Sequence, residues 1–187
     1  MDFSHYSDRP ARVAVDLVNT LNPVSGRDAL ATPEDVAGFI DDELGDWDEV
    51  TFIPTERHLH EARALRSRLR GVWEARDENE AADILNHILA DVSATPSVSI
   101  HGKAGPHLHF EPRTGGPIKW LGAVTAMGLS VALIEGGWER FGICASESCD
   151  DVYIDHSKNR SRRHCSDTCT TRESVAAYRR RQKAGAA

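Results

Sequence analysis

The stretch CASESCDDVYIDHSKNRSRRHCSDTC, residues 144–169, contains all four cysteines of this 187-residue chain. Four residues separate Cys144 from Cys149, fifteen separate Cys149 from Cys165, and three separate Cys165 from Cys169. Two close pairs joined by a loop suit a tetrahedral zinc site, because each pair supplies two thiolates from one turn. The spacing therefore predicts a structural Zn²⁺ site with the four cysteines as its ligands.

Other interpretations of these residues remain open at the level of sequence. The thiols could form two disulfides or be unrelated, although the N-terminal MDFSHYSDRP contains no apolar signal segment that would direct the chain to an oxidising compartment. His156 or His164 could replace a cysteine, although His164 directly adjoins Cys165. A segment this short buries little apolar surface, so we expect metal binding to supply its folding free energy, on the order of 10 kcal/mol.

The charge of the chain reverses sign after the first cysteine pair. Residues 157–187 contain nine basic and two acidic residues, a local charge of about +7, whereas the other 156 residues contain 13 basic and 27 acidic ones, about −14. Modules that bind polyanions show this asymmetry, because neutralised phosphates release counterions. A helix capped by Ser166 or Asp167 is predicted to reach about Lys183. The alternative is a solvated basic tail that pairs with the acidic body.

Four segments of the last quarter of the chain form a recognisable set: the Cys-x4-Cys pair, DHSKN at 155–159, RSRRHC at 160–165 and CSDTCTTR at 165–172. Together they resemble the CGNR zinc-finger proteins. In that family the last cysteine opens a Cys-Gly-Asn-Arg tetrapeptide, whereas here Thr170 and Thr171 stand in place of the Gly and Asn. AVDLVNTL at 14–21 and DALATPEDVAGFI at 28–40 are similar to the opening of the ABATE domain that precedes this finger in the family.

The resemblance implies a bacterial, stress-related transcription regulator that binds DNA. We expect an ABATE-like ligand-sensing domain at 1–138 and a treble-clef-like or knuckle-type zinc finger with a basic C-terminal helix at 139–187. A small-molecule effector and a homodimer are compatible with that role. The alternative is a zinc-stabilised interaction or assembly module that does not bind DNA. The candidate DNA contacts are Arg160, Arg162, Arg163, Arg172, Arg179, Arg180 and Arg181.

The sequence of the first domain predicts an α+β fold that is mostly helical with a small β-hairpin. The spacing of apolar residues predicts its helices and strands, and Thr, Pro and Gly mark where they begin and end. Arginines interleaved in the 55–76 helix predict a solvated face, on which Arg66 and Arg70 could clamp an anion. The linker before the cysteines is short, so we expect a docked finger. The predicted elements are a strand or helix at 12–19, helices at 32–44, 55–76, 79–92 and 118–135, a hairpin at 98–101 and 107–111, and a strand at 152–154.

Polar residues in the apolar AVDLVNTL segment are the candidate ligand site of the body. Asp16, Asn19 and Thr20 are costly to bury without partners, so they should cap backbone groups or line a small-molecule pocket. His101, His107 and His109 could form a second metal or catalytic site on the hairpin. No phosphate loop, nucleophile elbow or HExxH occurs in the sequence, so an enzyme is not expected. No apolar run is long enough to cross a bilayer, and we expect a cytoplasmic protein.

Overall fold

The computed structural model describes residues 4–44, 52–100, 106–110, 112 and 114–184. Within these ranges six α-helices, one 3-10 turn and three antiparallel two-stranded sheets form. The predicted fold class, mostly helical with small sheets and a helix after the cysteines, is confirmed. The elements are α1 Ser4–Asn19, β1 Leu21–Asn22, β2 Arg27–Asp28, α2 Pro33–Leu44, α3 Glu56–Glu74, α4 Glu78–Asp91, β3 Ser97–Ile100, β4 Pro106–His109, α5 Gly116–Gly136, the 3-10 turn Trp138–Arg140, β5 Phe141–Ile143, β6 Val152–Ile154 and α6 Asp167–Ala184.

Helix α5 forms the centre of the body and packs against α1, α3 and α4. It is apolar on nearly every side, and Leu121 and Leu129 have no exposed surface. Helix α1 crosses it closely at Gly128, where a β-carbon would lie 2.5 Å from the backbone nitrogen of Ala11. Helix α5 is long and apolar enough to span a membrane, and 67% of its most apolar window is buried inside the fold. Such burial is typical of the core helix of a globular domain.

Local capping explains where the other helices of the body begin. The Thr55 hydroxyl accepts a hydrogen bond from the His58 N–H at the start of α3, and the Asp77 carboxylate accepts one from the Glu80 N–H at the start of α4. Before α2, the Thr32 hydroxyl accepts a hydrogen bond from the Asp35 N–H at 3.3 Å, and the Asp35 carboxylate accepts one from the Thr32 N–H at 2.7 Å. These caps satisfy N–H groups that have no partner within a helix. The predicted helices at 32–44, 55–76, 79–92 and 118–135 are therefore present with small shifts at their ends.

Two regions differ from the sequence-based expectation at the level of detail. Residues 12–19, assigned to a strand or a helix, are the second half of α1, which continues across Pro10. The hairpin pairs Ser97 with His109 and Ile100 with Pro106, one residue earlier than predicted. The residues of its turn, 101–105, lie outside the described part of the chain.

The prediction of a solvated arginine face on α3 is wrong at Arg66. This residue is 5% exposed, and its guanidinium donates to both carboxylate oxygens of Asp28, at 2.6 and 2.9 Å. It also donates to the Thr20 hydroxyl at 3.0 Å. Arg70 instead donates to Glu74 at 2.6 Å and to the Asp150 carbonyl at 3.0 Å. The two arginines therefore have separate protein partners, and Arg66 anchors the β1–β2 segment to the core.

Candidate metal centre and basic helix

Two structural arms bring the four cysteines together. Cys144 follows β5 and Cys149 precedes β6, and the hydrogen bond from Cys144 N to Asp151 O, 2.9 Å long, closes this first arm. Cys165 and Cys169 lie at the start of α6, where the Ser166 hydroxyl accepts a hydrogen bond from Cys169 N at 3.3 Å. The 2.9 Å hydrogen bond from Ala145 N to Arg163 O joins the two arms. The metal ligands therefore lie on a hairpin and a helix start that are hydrogen-bonded to each other.

The four sulfur atoms have the arrangement of a metal site. All four lie within 4.8 Å of one another, with 3.6 Å between Cys149 and Cys165 and 3.7 Å between Cys165 and Cys169. Tetrahedral coordination with metal–sulfur bonds of about 2.3 Å separates the sulfurs by about 3.8 Å. A disulfide needs about 2.05 Å, and all four cysteines are free. The structure therefore agrees with a shared metal ion and contains none of the alternative disulfides.

The two histidines considered as substitute ligands lie at the edge of this cluster. His164 Nδ1 is 3.9 Å from Cys144 Sγ, which is a weak hydrogen-bond contact with one ligand. His156 is exposed and lines the surface clefts beside the finger. Within the described residues, the group of potential metal ligands that lie close together is the four cysteines.

The four thiols differ in their acid–base properties. Burial raises the pKa of Cys149, and burial likewise raises the pKa of Cys165 to about 12. Burial also acts to raise the pKa of Cys144 and Cys169, but hydrogen bonds outweigh it and lower both values. For Cys144 the chief donors are the backbone groups of Cys165 and Ser146. Four crowded sulfurs therefore do not all ionise on their own, whereas a bound cation compensates four thiolates.

A second layer of polar contacts fastens α6 to the first cysteine arm. Arg172 donates to the Ser148 hydroxyl at 2.8 Å and lies 4.0 Å from Cys169 Sγ. The Glu173 carboxylate accepts a hydrogen bond from the Ser146 hydroxyl at 2.8 Å. Arg172 matches the arginine of the Cys-Gly-Asn-Arg motif, and here it supports the metal centre. The serines of this layer were not predicted, because hydroxyls in a short turn carry no distinctive spacing.

Asp155 organises the loop between the two arms and was also not predicted as a site residue. It is 3% exposed, and its carboxylate accepts hydrogen bonds from Ser157 N at 2.7 Å and Arg162 N at 2.9 Å. Burial acts to raise its pKa, but these hydrogen bonds prevail and lower it. The DHSKN segment contained a usable signal, since an Asp side chain in a loop commonly accepts a hydrogen bond from the backbone N–H two residues on, in an Asx turn.

The seven arginines predicted to contact DNA fall into two groups. Arg160 pairs with Glu139, Arg172 has the contacts given above, and Arg162 donates to the backbone oxygens of His164 and Cys165. The guanidinium of Arg162 also lies 5.0 Å from the centre of the Tyr153 ring. The second group consists of Arg163, Arg179, Arg180 and Arg181. These four are exposed, and their side chains form no hydrogen bond or ion pair with another residue of the described structure.

The finger is docked on the body through β6 and the loop before it. Asn19 forms two hydrogen bonds with the backbone of Val152, donating to its carbonyl at 3.0 Å and accepting from its N–H at 2.8 Å. Trp73 Nε1 donates to the Tyr153 carbonyl at 2.9 Å in the core. Asn22 donates to the Asp151 carboxylate at 3.0 Å. Helices α1 and α3 therefore hold the strand that follows the first cysteine pair.

The three candidate ligand residues of the body have different positions. Thr20 donates to the Leu17 carbonyl at 2.7 Å and accepts from Arg66, and Asn19 is occupied by Val152, so both act on backbone or core groups. Asp16 and Asn19 both line a cleft of about 540 Å³ between α1 and β6. Burial raises the pKa of Asp16, and the nearby Glu43 adds to that shift. Ligand binding by these residues stays a prediction.

The hairpin histidines cannot be placed together from the described structure. His101 lies outside the described residues. His107 and His109 lie two positions apart on β4, opposite Ser99 and Ser97. A second metal or catalytic site there stays a prediction.

Comparisons with known families cover nearly the whole described chain. A family model described as "Putative stress-induced transcription regulator", ABATE, matches residues 11–136, which is more than half of the sequence. A model described as "CGNR zinc finger" matches residues 140–182. Among curated proteins, no sequence matches this chain. The chain therefore belongs to the ABATE family and contains a C-terminal CGNR zinc finger.

Proposed function

We propose that this protein is a cytoplasmic, non-enzymatic transcription regulator that binds DNA through α6, with one Zn²⁺ ion fixing that helix to the body. The observation that carries the proposal is the group Arg163, Arg179, Arg180 and Arg181, whose guanidinium groups are exposed and lack protein partners in the described structure. Three of them are consecutive on a helix that starts within the metal centre. A rigid cationic helix of this kind suits a polyanionic partner.

Zinc is the proposed ion because of the ligand set. Four thiolates at tetrahedral spacing suit Zn²⁺, whereas Mg²⁺ and Ca²⁺ prefer oxygen ligands. Four protein ligands leave no open position for a substrate, so the role of the ion is structural. Cys144, Cys149, Cys165 and Cys169 would hold it, and Arg172 lies beside the sulfur of Cys169.

The distribution of charge supports DNA over a neutral partner. The last 31 residues have a net charge of about +7, while the rest of the chain has about −14. DNA would therefore be attracted to α6 and repelled by the body, which orients the finger toward the duplex. Each phosphate contact formed by an arginine makes the affinity for DNA fall more steeply as the salt concentration rises, by a predictable increment in slope.

The test compares two triple variants that remove the same charge. In the first, Arg179, Arg180 and Arg181 are replaced with alanine. In the matched control, Arg57, Arg68 and Arg76 are replaced, because these are surface arginines of the body that pair with carboxylates. Fluorescence anisotropy with a bulk 30-base-pair duplex over several salt concentrations measures the affinity and its salt slope.

We expect the α6 variant to lose about 2.7 units of the slope of log K against log salt, about 0.9 for each phosphate contact. The control should keep the slope of the unmodified protein. Equal effects of the two triple variants would show that only overall charge matters. Absence of binding by the unmodified, zinc-loaded protein at low salt would refute the proposal.

The second candidate function is an interaction or assembly module, which includes homodimerisation. It is favoured by one observation, that the acidic body of a second copy also suits a basic helix. Light scattering as a function of salt distinguishes the two functions. A dimer that dissociates with salt while DNA binding is absent would establish the second.

We also propose that the cleft beside Asp16 receives a small-molecule effector. Its walls come from both α1 and the finger, including Val152, Tyr153 and the metal ligand Cys165. A ligand in this cleft would therefore contact both parts and alter their docking. Thermal-shift screening of metabolites, with Asp16→Asn as the comparison, tests this. A compound that stabilises both proteins equally does not use Asp16, and the absence of any stabilising compound would count against an effector.

A further inference from the structure

The contacts of α6 define which side of this helix is available to a partner. Cys169 belongs to the metal centre, and Glu173 is hydrogen-bonded to Ser146. Ala176 and Ala177 continue this partly covered side. Successive residues of an α-helix are about 100° apart around its axis, so these four residues define the inward face of α6.

A stripe of four exposed residues lies on the opposite side. Thr171, Val175, Tyr178 and Gln182 follow one another at intervals of four, three and four positions. Their mean direction is about 180° from the inward face. Val175 and Tyr178 are 43% and 57% exposed, although they are the large apolar residues of this helix. Gln182 Nε2 donates to the Tyr178 hydroxyl at 3.2 Å, which holds the amide along the stripe.

Arginines lie on both sides of this stripe. Arg179 lies about 70° to one side of it and Arg181 about 90° to the other. From Ser174 to Ala184 the helix contains four basic residues and no acidic one. In this part of the described helix, Ser174 donates a side-chain hydrogen bond to the Thr170 carbonyl and Gln182 donates one to the Tyr178 hydroxyl, so both bonds stay within α6. The helix therefore presents a narrow polar and apolar stripe between two cationic edges.

We propose that Thr171, Val175, Tyr178 and Gln182 are the base-contacting face of α6 and determine which DNA sequence the protein prefers. In this arrangement the stripe lies in the major groove, and Arg179 and Arg181 contact the phosphates on its two sides. The inference rests on the proposed DNA binding and adds the residues that give it specificity.

The dimensions of the stripe agree with the major groove. A helix with side chains is about 10–12 Å wide, and the major groove is about 12 Å wide. The stripe spans eleven steps of the chain, or about 16 Å, which corresponds to about five base pairs at about 3.4 Å each. One α6 helix would therefore contact a short site of four to five base pairs.

The chemistry of the four side chains predicts a preference for A·T pairs. A glutamine amide pairs with the N6 and N7 atoms of adenine, and the methyl groups of Val and Thr pack on the thymine methyl. Arginine, which pairs with guanine most often, occurs at the edges of the stripe. A protein partner would need about 800 Å² of contact per side, whereas this stripe offers two large apolar side chains between strongly cationic edges.

The experiment selects binding sites from a random duplex library with the zinc-loaded, full-length protein. We expect an enriched A·T-containing motif of four to five base pairs. Gln182→Ala should relax one position of the motif and lower discrimination there by about 10-fold, with bulk affinity unchanged within about 2-fold. Asn86→Ala is the matched control, because it removes an exposed neutral amide from α4, outside the finger, and should leave the motif unchanged. Zinc content and circular dichroism verify that each variant is folded.

The outcomes separate this inference from the proposed function. An unmodified protein that binds bulk duplex but enriches no motif would overturn the base-contacting face and leave DNA binding intact. A motif that survives unchanged in alanine variants of Val175, Tyr178 and Gln182 would overturn it as well. Failure to bind any DNA would remove both proposals, and binding of a protein partner at the same stripe would show that its occupant is a different macromolecule.

Discussion

Replacing Asn19 with alanine should weaken the docking of the zinc finger on the body. The side chain of Asn19 satisfies both backbone groups of Val152, at 3.0 and 2.8 Å. Val152 is fully buried and lies on β6. The residues that flank β6 form backbone hydrogen bonds toward β5, Asp151 with Cys144 and Asp155 with Arg140. Asn19 therefore takes the place of a third strand along the open edge of this small sheet.

The magnitude follows from the two groups that would lose their partner. Each hydrogen bond contributes about 1 kcal/mol net, and each buried group left without a partner costs about 1–3 kcal/mol. Some water entry at the edge reduces the upper value, so we expect a loss of about 3 kcal/mol in the free energy of unfolding. For a chain of this length that loss lowers the melting temperature by about 6–12 °C.

Thermal melting and amide hydrogen exchange of the zinc-loaded protein measure this effect. The amide of Val152 should exchange much faster in Asn19→Ala, because its acceptor is gone. Asn19→Asp keeps the acceptor for that N–H and loses the donor to the carbonyl, so Val152 exchange should be less affected. Asn22→Ala is the control. It removes two hydrogen bonds outside the core, one to the Asp151 carboxylate and one from Ser25 N, and should cost about 1 kcal/mol.

One result would refute this reasoning. If Asn19→Ala melts within about 1 °C of the unmodified protein and Val152 exchange is unchanged, Asn19 does not hold the finger. The docking would then depend on Trp73 and the apolar contacts of β6 alone.

Three further predictions concern the core, the buried ion pair and the metal. Gly128→Ala should destabilise the fold by about 1–3 kcal/mol, because its β-carbon would meet backbone atoms 2.5 Å away. Gly38→Ala, with open space around it, should instead stabilise α2 by about 0.5–1 kcal/mol. Urea denaturation measures both free energies of unfolding, and equal effects would contradict the close helix crossing. The hydrogen bond from Arg66 holds the pKa of Asp28 below its ordinary value of 3.8, so the pair stabilises the fold fully above about pH 4 and this contribution is lost as the pH falls through the lowered pKa. Asp28→Asn should cost about 3 kcal/mol at pH 7 and progressively less as the pH falls below about 4, and a pH-independent cost would be inconsistent with the pair. Chelation should remove hydrogen-exchange protection from 144–169 before the body helices lose theirs, and simultaneous loss everywhere would show that the finger and the body unfold as one unit.

The sequence allowed much of the fold to be predicted because its local signals agree with the tertiary structure. Pro33 after Thr32 and the apolar spacing in 55–76 and 79–92 predict helices that form with local caps. The cysteine spacing predicts a cluster because short pairs constrain their sulfurs through the chain itself. Residues 12–19 were ambiguous, since a buried segment with mixed spacing suits either a strand or a helix.

Long-range partners account for what the sequence did not reveal. The burial of Arg66 depends on Asp28, 38 positions away. The local spacing places Arg66 on the buried face of α3, four positions after Ala62 and three before Leu69, but it does not reveal the carboxylate that pairs with the buried guanidinium. Likewise Asn19 lies 133 positions from Val152. The arginines of 157–187 carry the same charge, and only their contacts separate Arg162 and Arg172, which support the finger, from Arg179 and Arg181, which are available to a partner.

X-ray absorption at the zinc edge of the purified, zinc-loaded protein tests the central claim most directly. The account predicts one zinc per chain with four sulfur neighbours at about 2.3 Å and no nitrogen neighbour, because Cys144, Cys149, Cys165 and Cys169 form the site. Three sulfurs and one nitrogen would assign a ligand role to His164, and absence of bound zinc together with disulfide-linked cysteines would contradict the account.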